Sequence, residues 1–333
     1  MPILISFFLL VTAIVCVFLI SNRFRIPAAV AAGPILQLSP KEIGLEAGNQ
    51  VSSQELEAAI QNNYDESFQH SFLAEAAYVI QDDGEVLYAQ NEHTRLYPAS
   101  TTKLMTAYLA LTKTKDLNRK ITVGELSGCY EDGSILLGLE PDDQISMRDL
   151  VTALMLRSYN DAATAIALEI GGSLEGFASL MNEQLAKIGA NETHFVTPHG
   201  LHNDDHYTTA YDLNLILQMA YGLKPLQEIM VMPKATIEVI REGETISYDI
   251  QNGSFFVQGA YDVPSMQYVG GKTGYTEKAQ SCLASVFRQG ESLYFSAIMK
   301  SEDASYMTTI LLDYYFAPEA LPGFSRTIPL MRQ

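Results

Sequence analysis

Ser100 and Lys103 stand three residues apart in the segment Ser100-Thr101-Thr102-Lys103. On a helix this spacing puts both side chains on one face, one turn apart. Serine is a weak nucleophile that needs a base, and lysine can serve when burial and a nearby cation lower its pKa. The pair predicts a serine nucleophile at Ser100. Alone the pattern decides nothing, since S-x-x-K occurs about once by chance in a chain of this length.

A second cluster, Ser158-Tyr159-Asn160, lies between two predicted helices. Loop serine and asparagine residues commonly only cap a helix or form a turn. The functional interpretation is that Ser158 relays a proton between Lys103 and a leaving amine. Asn160 would then bind both a substrate amide and the lysine side chain.

The third cluster is Gly270-Gly271-Lys272-Thr273-Gly274-Tyr275-Thr276, at the end of a predicted strand. Glycines in a strand permit the close approach of a substrate backbone. Lys272 supplies a positive charge and Thr273 a hydroxyl, a combination that suits a carboxylate. A hairpin turn would explain the glycines, but it leaves Lys-Thr at the strand edge unexplained.

The elements around these clusters predict an antiparallel sheet built from both chain ends, with helices packed on it and a helical insert between them. Two strands flank an Asp83-Gly84 turn. The insert's second helix is predicted with Asp161 as its N-cap, and Thr209 with Asp212 resembles a capping box at the fourth. The predicted helices cover residues 100–114, 147–157, 161–170, 173–188 and 209–221. The predicted later strands cover residues 236–240, 267–272, 281–287 and 292–299.

S-x-x-K, then S-x-N, then K-T-G, each in its expected context, form the motif set of penicillin-binding proteins and class A β-lactamases. The chain resembles the low-molecular-mass D-alanyl-D-alanine carboxypeptidases over about residues 75 to 300. The resemblance is carried by Tyr97-Pro98-Ala99-Ser100-Thr101-Thr102-Lys103-Leu104-Met105-Thr106, Leu137-Gly138-Leu139-Glu140-Pro141-Asp142-Asp143, Thr193-His194-Phe195, His199-Gly200-Leu201, Tyr207-Thr208-Thr209-Ala210 and Gly271-Lys272-Thr273-Gly274-Tyr275-Thr276.

The resemblance implies a β-lactamase/transpeptidase-like α+β fold, with a five-stranded antiparallel sheet flanked by helices and an all-helical subdomain. It implies removal of the terminal D-alanine from peptidoglycan stem peptides, acylation by penicillins, and no metal or organic cofactor. By position, Ser100 attacks, Lys103 takes the proton, and Ser158 and Asn160 assist the leaving amine. The substrate-binding residues would be Lys272, Thr273, Gly274 and Tyr275, with the Ser100 and Tyr275 N–H groups as the oxyanion hole.

Two positions depart from the family pattern. Tyr159 stands at the centre of S-x-N, where small residues are common, and an aromatic side chain there would narrow the site. In relatives an arginine on the strand after K-T-G often assists carboxylate binding. Here that strand ends with Met299-Lys300-Ser301-Glu302, so either Lys300 substitutes or Lys272 acts alone.

Three competing functions stay open. A class A β-lactamase needs a glutamate on the loop between S-x-N and K-T-G, and residues 193–206 contain none. A D,D-endopeptidase would use the same chemistry on crosslinked peptides. A non-enzymatic β-lactam sensor is disfavoured because all three motifs are intact.

The chain has 333 residues, a net charge of −18 and three cysteines. Such an acidic chain argues against a nucleic-acid partner, and two unpaired core thiols are favoured over a disulfide between Cys129 and Cys282. Residues 1–22 are predicted to be a membrane anchor or export signal, because Ile3 to Ile20 is an apolar run just long enough to span a bilayer.

Residues 23–72 are predicted to be a polar stalk, 73–318 the catalytic domain and 319–333 a short tail. Arg23 and Arg25 follow the apolar run and would favour a cytoplasmic domain, although long domains translocate despite such charges. An uncleaved anchor, a cleaved signal at Ala29-Val30-Ala31 and a cytoplasmic domain on an anchor all remain open. We expect the uncleaved anchor, with the catalytic domain outside the cytoplasm.

Overall fold

A computed structural model describes residues 73–131 and 134–317. Its strands are β1 Ala74–Gln81, β2 Val86–Gln90, β3 Lys120–Thr122, β4 Gln144–Ser146, β5 Lys234–Arg241, β6 Glu244–Gln251, β7 Gln267–Thr276, β8 Gln280–Gln289 and β9 Ser292–Ser301. Its helices are α1 Lys103–Lys113, α2 Met147–Arg157, α3 Asn160–Gly171, α4 Leu174–Ile188, α5 Ala210–Tyr221, α6 Lys224–Met230 and α7 Ala304–Phe316, with a short 3-10 helix at Ala99–Thr102 before α1.

The main sheet joins both ends of the described chain in the order β2-β1-β9-β8-β7, with every neighbouring pair antiparallel. This confirms the predicted sheet and its hairpin, whose turn carries Gly84 at φ +96°. Because β7 is an edge strand, half of its backbone N–H and C=O groups are not used in the sheet. The strand that carries the K-T-G motif is therefore free to face a ligand.

Helices α4 and α5 of the insert begin at the predicted polar caps, and α4 ends at the predicted glycine. Ser173 accepts a hydrogen bond from Gly176 N, and Thr209 accepts one from Asp212 N. Gly189 ends α4 in the left-handed conformation. One predicted cap is wrong: Asp161 lies inside α3, whose N-cap is Tyr159. Its carboxylate instead accepts hydrogen bonds from a separate loop, a long-range arrangement that spacing does not reveal.

A second antiparallel sheet, in the order β3-β4-β5-β6, was not predicted. Only part of β5 was predicted as a strand. β3 and β4 have three residues each, too few to show a period, and β6 is mostly exposed and polar. The helices α6 and α7 were also missed, since α6 has only seven residues and α7 follows its strand after only a short turn.

The cysteines Cys129 and Cys282 are buried free thiols, as predicted. The predicted anchor (residues 1–22), stalk (23–72) and tail (319–333) lie outside the described residues. Among the helices that the structure describes, none is both long and apolar enough to cross a bilayer.

Candidate active site

The nucleophile candidate sits on a turn held in an unusual backbone conformation. Ala99, immediately before Ser100, has φ +48°, a left-handed value that costs a residue with a side chain some free energy. Two threonine hydroxyls hold this turn. Thr101 Oγ1 donates to Pro98 O at 2.7 Å, and Thr102 Oγ1 donates to Ala99 O at 2.8 Å. The motif's two middle residues therefore shape the backbone that presents Ser100.

Two glycines allow other segments to press against this turn. A Cβ on Gly200 would lie 1.8 Å from Ala99 O, and a Cβ on Gly274 would lie 2.9 Å from Ser100 N. No side chain can be accommodated at the first position, and the second is too tight without a shift. The K-T-G glycine was expected to allow a substrate backbone to approach, and in the structure the backbone that approaches Gly274 is the protein's own nucleophile turn.

Lys103 is fully buried and lies at the centre of the site. Its Nζ is 2.8 Å from Ser100 Oγ, Asn160 Oδ1 and His199 O. These contacts join the first two motifs directly. The nucleophile candidate and its candidate base are within hydrogen-bonding distance before any substrate binds.

Burial lowers the pKa of Lys103 well below its usual value, and the positive charge of Lys272 lowers it further. The carboxylate of Asp161 opposes these effects. A lysine with a lowered pKa has a larger neutral fraction at neutral pH, so it can accept the proton of Ser100.

Ser158 ends α2 in the left-handed conformation, with φ 65°. Its Oγ is buried and makes no hydrogen bond within the described residues. Asn160 opens α3, and its backbone N donates to Ile135 O at 3.0 Å. The second motif therefore presents one oriented amide and one hydroxyl with unused hydrogen-bonding capacity.

The third motif lies along the edge strand β7. Lys272 is 4% exposed, and its burial lowers its pKa to about 7. Its Nζ donates to Thr273 O at 2.8 Å. Tyr275, which follows Gly274, is 68% exposed.

The two residues that depart from the family pattern, Tyr159 and Lys300, lie in different parts of the structure. Tyr159 is half-buried and packs against the core at the start of α3. Lys300 lies on β9, which β8 separates from β7, and its Nζ is 3.6 Å from Glu75 Oε2. The structure therefore does not bring Lys300 to the K-T-G edge, where Lys272 lies.

Two histidines at the site were not identified as functional from the sequence. His199 contributes its carbonyl to Lys103, and backbone carbonyls carry no sequence signal. His206 Nδ1 accepts from Val196 N and Thr197 N, so its Nε2 carries the proton and donates to Thr102 Oγ1 at 2.9 Å. Burial lowers the pKa of His206 to about 3, which keeps the ring neutral. The sequence feature that could have pointed to these two residues is the high density of histidines in residues 193–206.

Comparison with known proteins agrees with this geometry. Residues 64–303 match the D-alanyl-D-alanine carboxypeptidase family. The D-alanyl-D-alanine carboxypeptidase DacF of Bacillus subtilis (strain 168) is 30% identical over 259 residues, which cover 75% of this chain and 64% of that protein. The match thus spans less than two thirds of that relative's length.

Solved structures show the same fold. The D-alanyl-D-alanine carboxypeptidase from Mycobacterium tuberculosis H37Rv superposes with a TM-score of 0.64 at 26% identity, covering 75% of this chain and 94% of that one. The Streptomyces K15 DD-transpeptidase gives a TM-score of 0.66 at 23% identity, covering 74% and 98%. The expected β-lactamase/transpeptidase-like fold is confirmed.

Proposed function

Because this chain belongs to the D-alanyl-D-alanine carboxypeptidase family, we propose that it removes the terminal D-alanine from peptidoglycan stem peptides. The reaction proceeds through an acyl-enzyme on Ser100, and β-lactams acylate the same hydroxyl. The observation that carries the proposal is the contact of Lys103 Nζ with both Ser100 Oγ and Asn160 Oδ1, each at 2.8 Å. This contact makes one catalytic unit of two motifs that are far apart in the chain.

Acylation begins with the neutral form of Lys103. Its Nζ takes the proton of Ser100 Oγ while that oxygen attacks the carbonyl carbon of the D-Ala-D-Ala bond. The N–H groups of Ser100 and Tyr275 stabilise the oxyanion, an effect worth about 3 kcal/mol per donor. The support for this hole is the tight packing of Gly274, next to Tyr275, against the Ser100 backbone.

The C–N bond then breaks, and the leaving amine needs a proton. Ser158 passes it on from Lys103, which suits a buried hydroxyl without a hydrogen bond inside the described protein. A water molecule attacks the acyl-enzyme while Lys103 takes its proton, and the ester bond to Ser100 then breaks as Lys103 returns that proton to Ser100 Oγ. The products are free D-alanine and a stem peptide shortened by one residue.

Lys272 and Thr273 select the substrate by its terminal carboxylate. A cation and a hydroxyl at a free strand edge are suitable donors for this group. Lys272 acts without help from Lys300, whose side chain pairs with Glu75. The family relation also supports an extracytoplasmic location. Membrane attachment through the N-terminal segment is proposed from the apolar run between Ile3 and Ile20.

The β-lactamase alternative gains no support from residues 193–206. Asp204 is within hydrogen-bonding distance of Tyr97 Oη and His202 Nε2, and Asp205 is exposed. Among the residues that the structure describes, the hydrogen-bonding partners of Lys103 Nζ are Ser100, Asn160 and His199, and neither carboxylate is one of them. We therefore expect the acyl-enzyme formed with penicillin to be long-lived rather than turned over rapidly.

Mass spectrometry after incubation with benzylpenicillin tests the proposal. We expect one covalent adduct on the Ser100 peptide, and release of D-alanine from a pentapeptide by the untreated protein. The Ser100→Ala variant should do neither, whereas Ser127→Ala, at an exposed serine, should do both. D-alanine release by Ser100→Ala at the native rate would refute the assignment. Cleavage of a crosslinked dimer without D-alanine release would favour the endopeptidase.

A further inference from the structure

The side-chain amide of Asn160 could face Lys103 with either its oxygen or its nitrogen, and only one orientation suits the proposed reaction. We propose that Ser134, which belongs to none of the three motifs, is a positioning residue that fixes this orientation. The inference rests on the proposed function, because it assumes that Lys103 is the base and Asn160 its partner.

Ser134 Oγ lies at the far end of the amide from Lys103. It accepts a hydrogen bond from Asn160 Nδ2 at 3.1 Å and another from Glu131 N at 2.9 Å. A hydroxyl oxygen has two lone pairs, and both are used by these donors. With Nδ2 donating to Ser134, Oδ1 is the amide atom that points to Lys103 Nζ, 2.8 Å away. The second N–H of the same amide stays available for a substrate carbonyl.

The segment that carries Ser134 is anchored to α3 by main-chain contacts next to Asn160. Asn160 N donates to Ile135 O at 3.0 Å. The buried carboxylate of Asp161 accepts from the backbone N atoms of Leu137, Gly138 and Leu139 at 2.8–3.1 Å. Two consecutive residues of α3 thus hold the stretch that directly follows Ser134. Ser134 therefore reaches Asn160 from a well-anchored segment rather than from an unattached loop end.

The orientation of the Asn160 amide matters chemically because its oxygen accepts hydrogen bonds, whereas its nitrogen donates them. If the amide turned over, Nδ2 would donate to the lone pair of neutral Lys103 Nζ. That lone pair is the one that must receive the proton of Ser100. The turned amide would also remove an acceptor from the ammonium form, which lowers the pKa of Lys103. Loss of the Ser134 hydroxyl should slow acylation and move the pH dependence of acylation.

The test compares Ser134→Ala with Ser134→Thr, which keeps the hydroxyl, in the full-length protein. We measure the acylation rate constant and the dissociation constant for benzylpenicillin, together with D-alanine release, between pH 4 and 9. Ser134→Ala should lower the acylation rate constant about 10- to 100-fold, the size expected for a misplaced catalytic group. The dissociation constant should change little, and the acid limb of the profile should move to lower pH. Ser134→Thr should recover most of the rate.

Ser127→Ala, at an exposed serine of the same segment, is the matched control and should behave as the wild type. An acylation rate of Ser134→Ala within about twofold of the wild-type rate would overturn the proposal. A twofold change corresponds to about 0.4 kcal/mol in activation free energy, which is too little for the loss of the amide's orientation. Equal losses in Ser134→Ala and Ser134→Thr would also overturn it, because packing and not the hydroxyl would then matter. If the wild type itself is not acylated and releases no D-alanine, the proposed function fails instead.

Discussion

At the scale of single residues, the site depends on two lysines whose side chains are almost entirely removed from water. Burying an ammonium group is costly, and the usual response is a lowered pKa. Both lysines show it, but the proposed mechanism needs them in different states. Lys103 must be neutral to take a proton, whereas Lys272 must be charged to bind a carboxylate. Their mutual repulsion favours the neutral form of Lys103.

The pH dependence of substrate capture follows from Lys272. In the free enzyme its pKa is lowered to about 7, so its charge is present below that pH and is lost as the pH rises through it. We expect kcat/KM for a pentapeptide with a free C-terminus to fall by up to tenfold per pH unit above about pH 7. The value of kcat should fall less, because a bound carboxylate raises the pKa of Lys272.

A pentapeptide with an amidated C-terminus is the control substrate for this profile. It should react slowly and show no alkaline limb, since it does not need the cation. A Lys300→Met variant should keep the wild-type profile, because Lys300 pairs with Glu75 and not with the substrate. The same alkaline limb with both peptides would contradict the assignment of Lys272 as the carboxylate-binding group.

At the scale of elements, two segments pack against the turn before α1. The edge strand β7 presses Gly274 against Pro98 and Ser100, and the segment between α4 and α5 presses Gly200 against Ala99. From that same segment, His206 donates to Thr102. The left-handed conformation of Ala99 persists because its neighbours leave the turn little room to relax. The position of the nucleophile is thus a product of element packing.

A methyl group at position 274 tests this packing. In Gly274→Ala the new Cβ would lie 2.9–3.0 Å from Pro98 O, Ser100 N and Thr101 N, so β7 and the turn must separate. We expect acylation by benzylpenicillin to slow by about 100-fold, since a displacement near 1 Å is enough for such a loss. Stopped-flow acylation kinetics measure the effect, and circular dichroism checks that the fold is kept.

Gly124→Ala is the matched glycine control. Its Cβ would meet only Leu168 at 3.7 Å, an ordinary contact, and the backbone there needs no left-handed φ. It should be acylated at the wild-type rate. A Gly274→Ala protein that keeps the wild-type rate would show that β7 does not constrain the nucleophile turn.

At the scale of the whole molecule, one side chain of the second sheet forms a charged contact with the active-site region. Arg241, on β5, donates from Nε and Nη2 to the two oxygens of Asp143 at 2.8 and 2.7 Å, and also to Gly138 O. These two hydrogen bonds make the pair bidentate. Because Asp143 is 1% exposed, its carboxylate is shielded from water. Gly138 also donates to Asp161, next to Asn160. The small sheet therefore holds the segment that reaches the catalytic amide.

Removing Arg241 should destabilise the protein in a pH-dependent way. The guanidinium holds the pKa of Asp143 below its ordinary value, so the stabilisation is complete above the carboxyl's unfolded pKa of about 3.9. It is lost as the pH falls through the lower, folded value. We expect Arg241→Ala to melt several degrees below the wild type at pH 7, with a smaller difference near pH 3.

Arg119→Ala is the control for this thermal measurement. Arg119 pairs with Glu169 in a more exposed position, where an ion pair contributes little. Its melting temperature should stay close to that of the wild type at every pH. A constant difference between Arg241→Ala and wild type from pH 3 to 7 would show that the charge on Asp143 is not what Arg241 stabilises.

The sequence by itself determined the features that depend on local spacing. Helical period and capping residues predicted α2, α4 and α5, and the Asp83-Gly84 turn predicted the β1–β2 hairpin. The order and context of three short motifs identified the family and the residues proposed for catalysis. Such patterns can be read because the side chains that make them are neighbours in the chain.

Only the tertiary structure decided the contacts between distant segments. Asp161 was predicted as a cap because its nearest neighbours suggested one, yet its partners lie 22 to 24 residues away. The acceptor at His199, the donor at His206 and the contact of Ser134 with Asn160 depend on packing across many residues. The second sheet was missed because two of its strands have only three residues each. Hydrogen bonds to backbone groups and pairings of short strands carry no sequence period, so the fold had to place them.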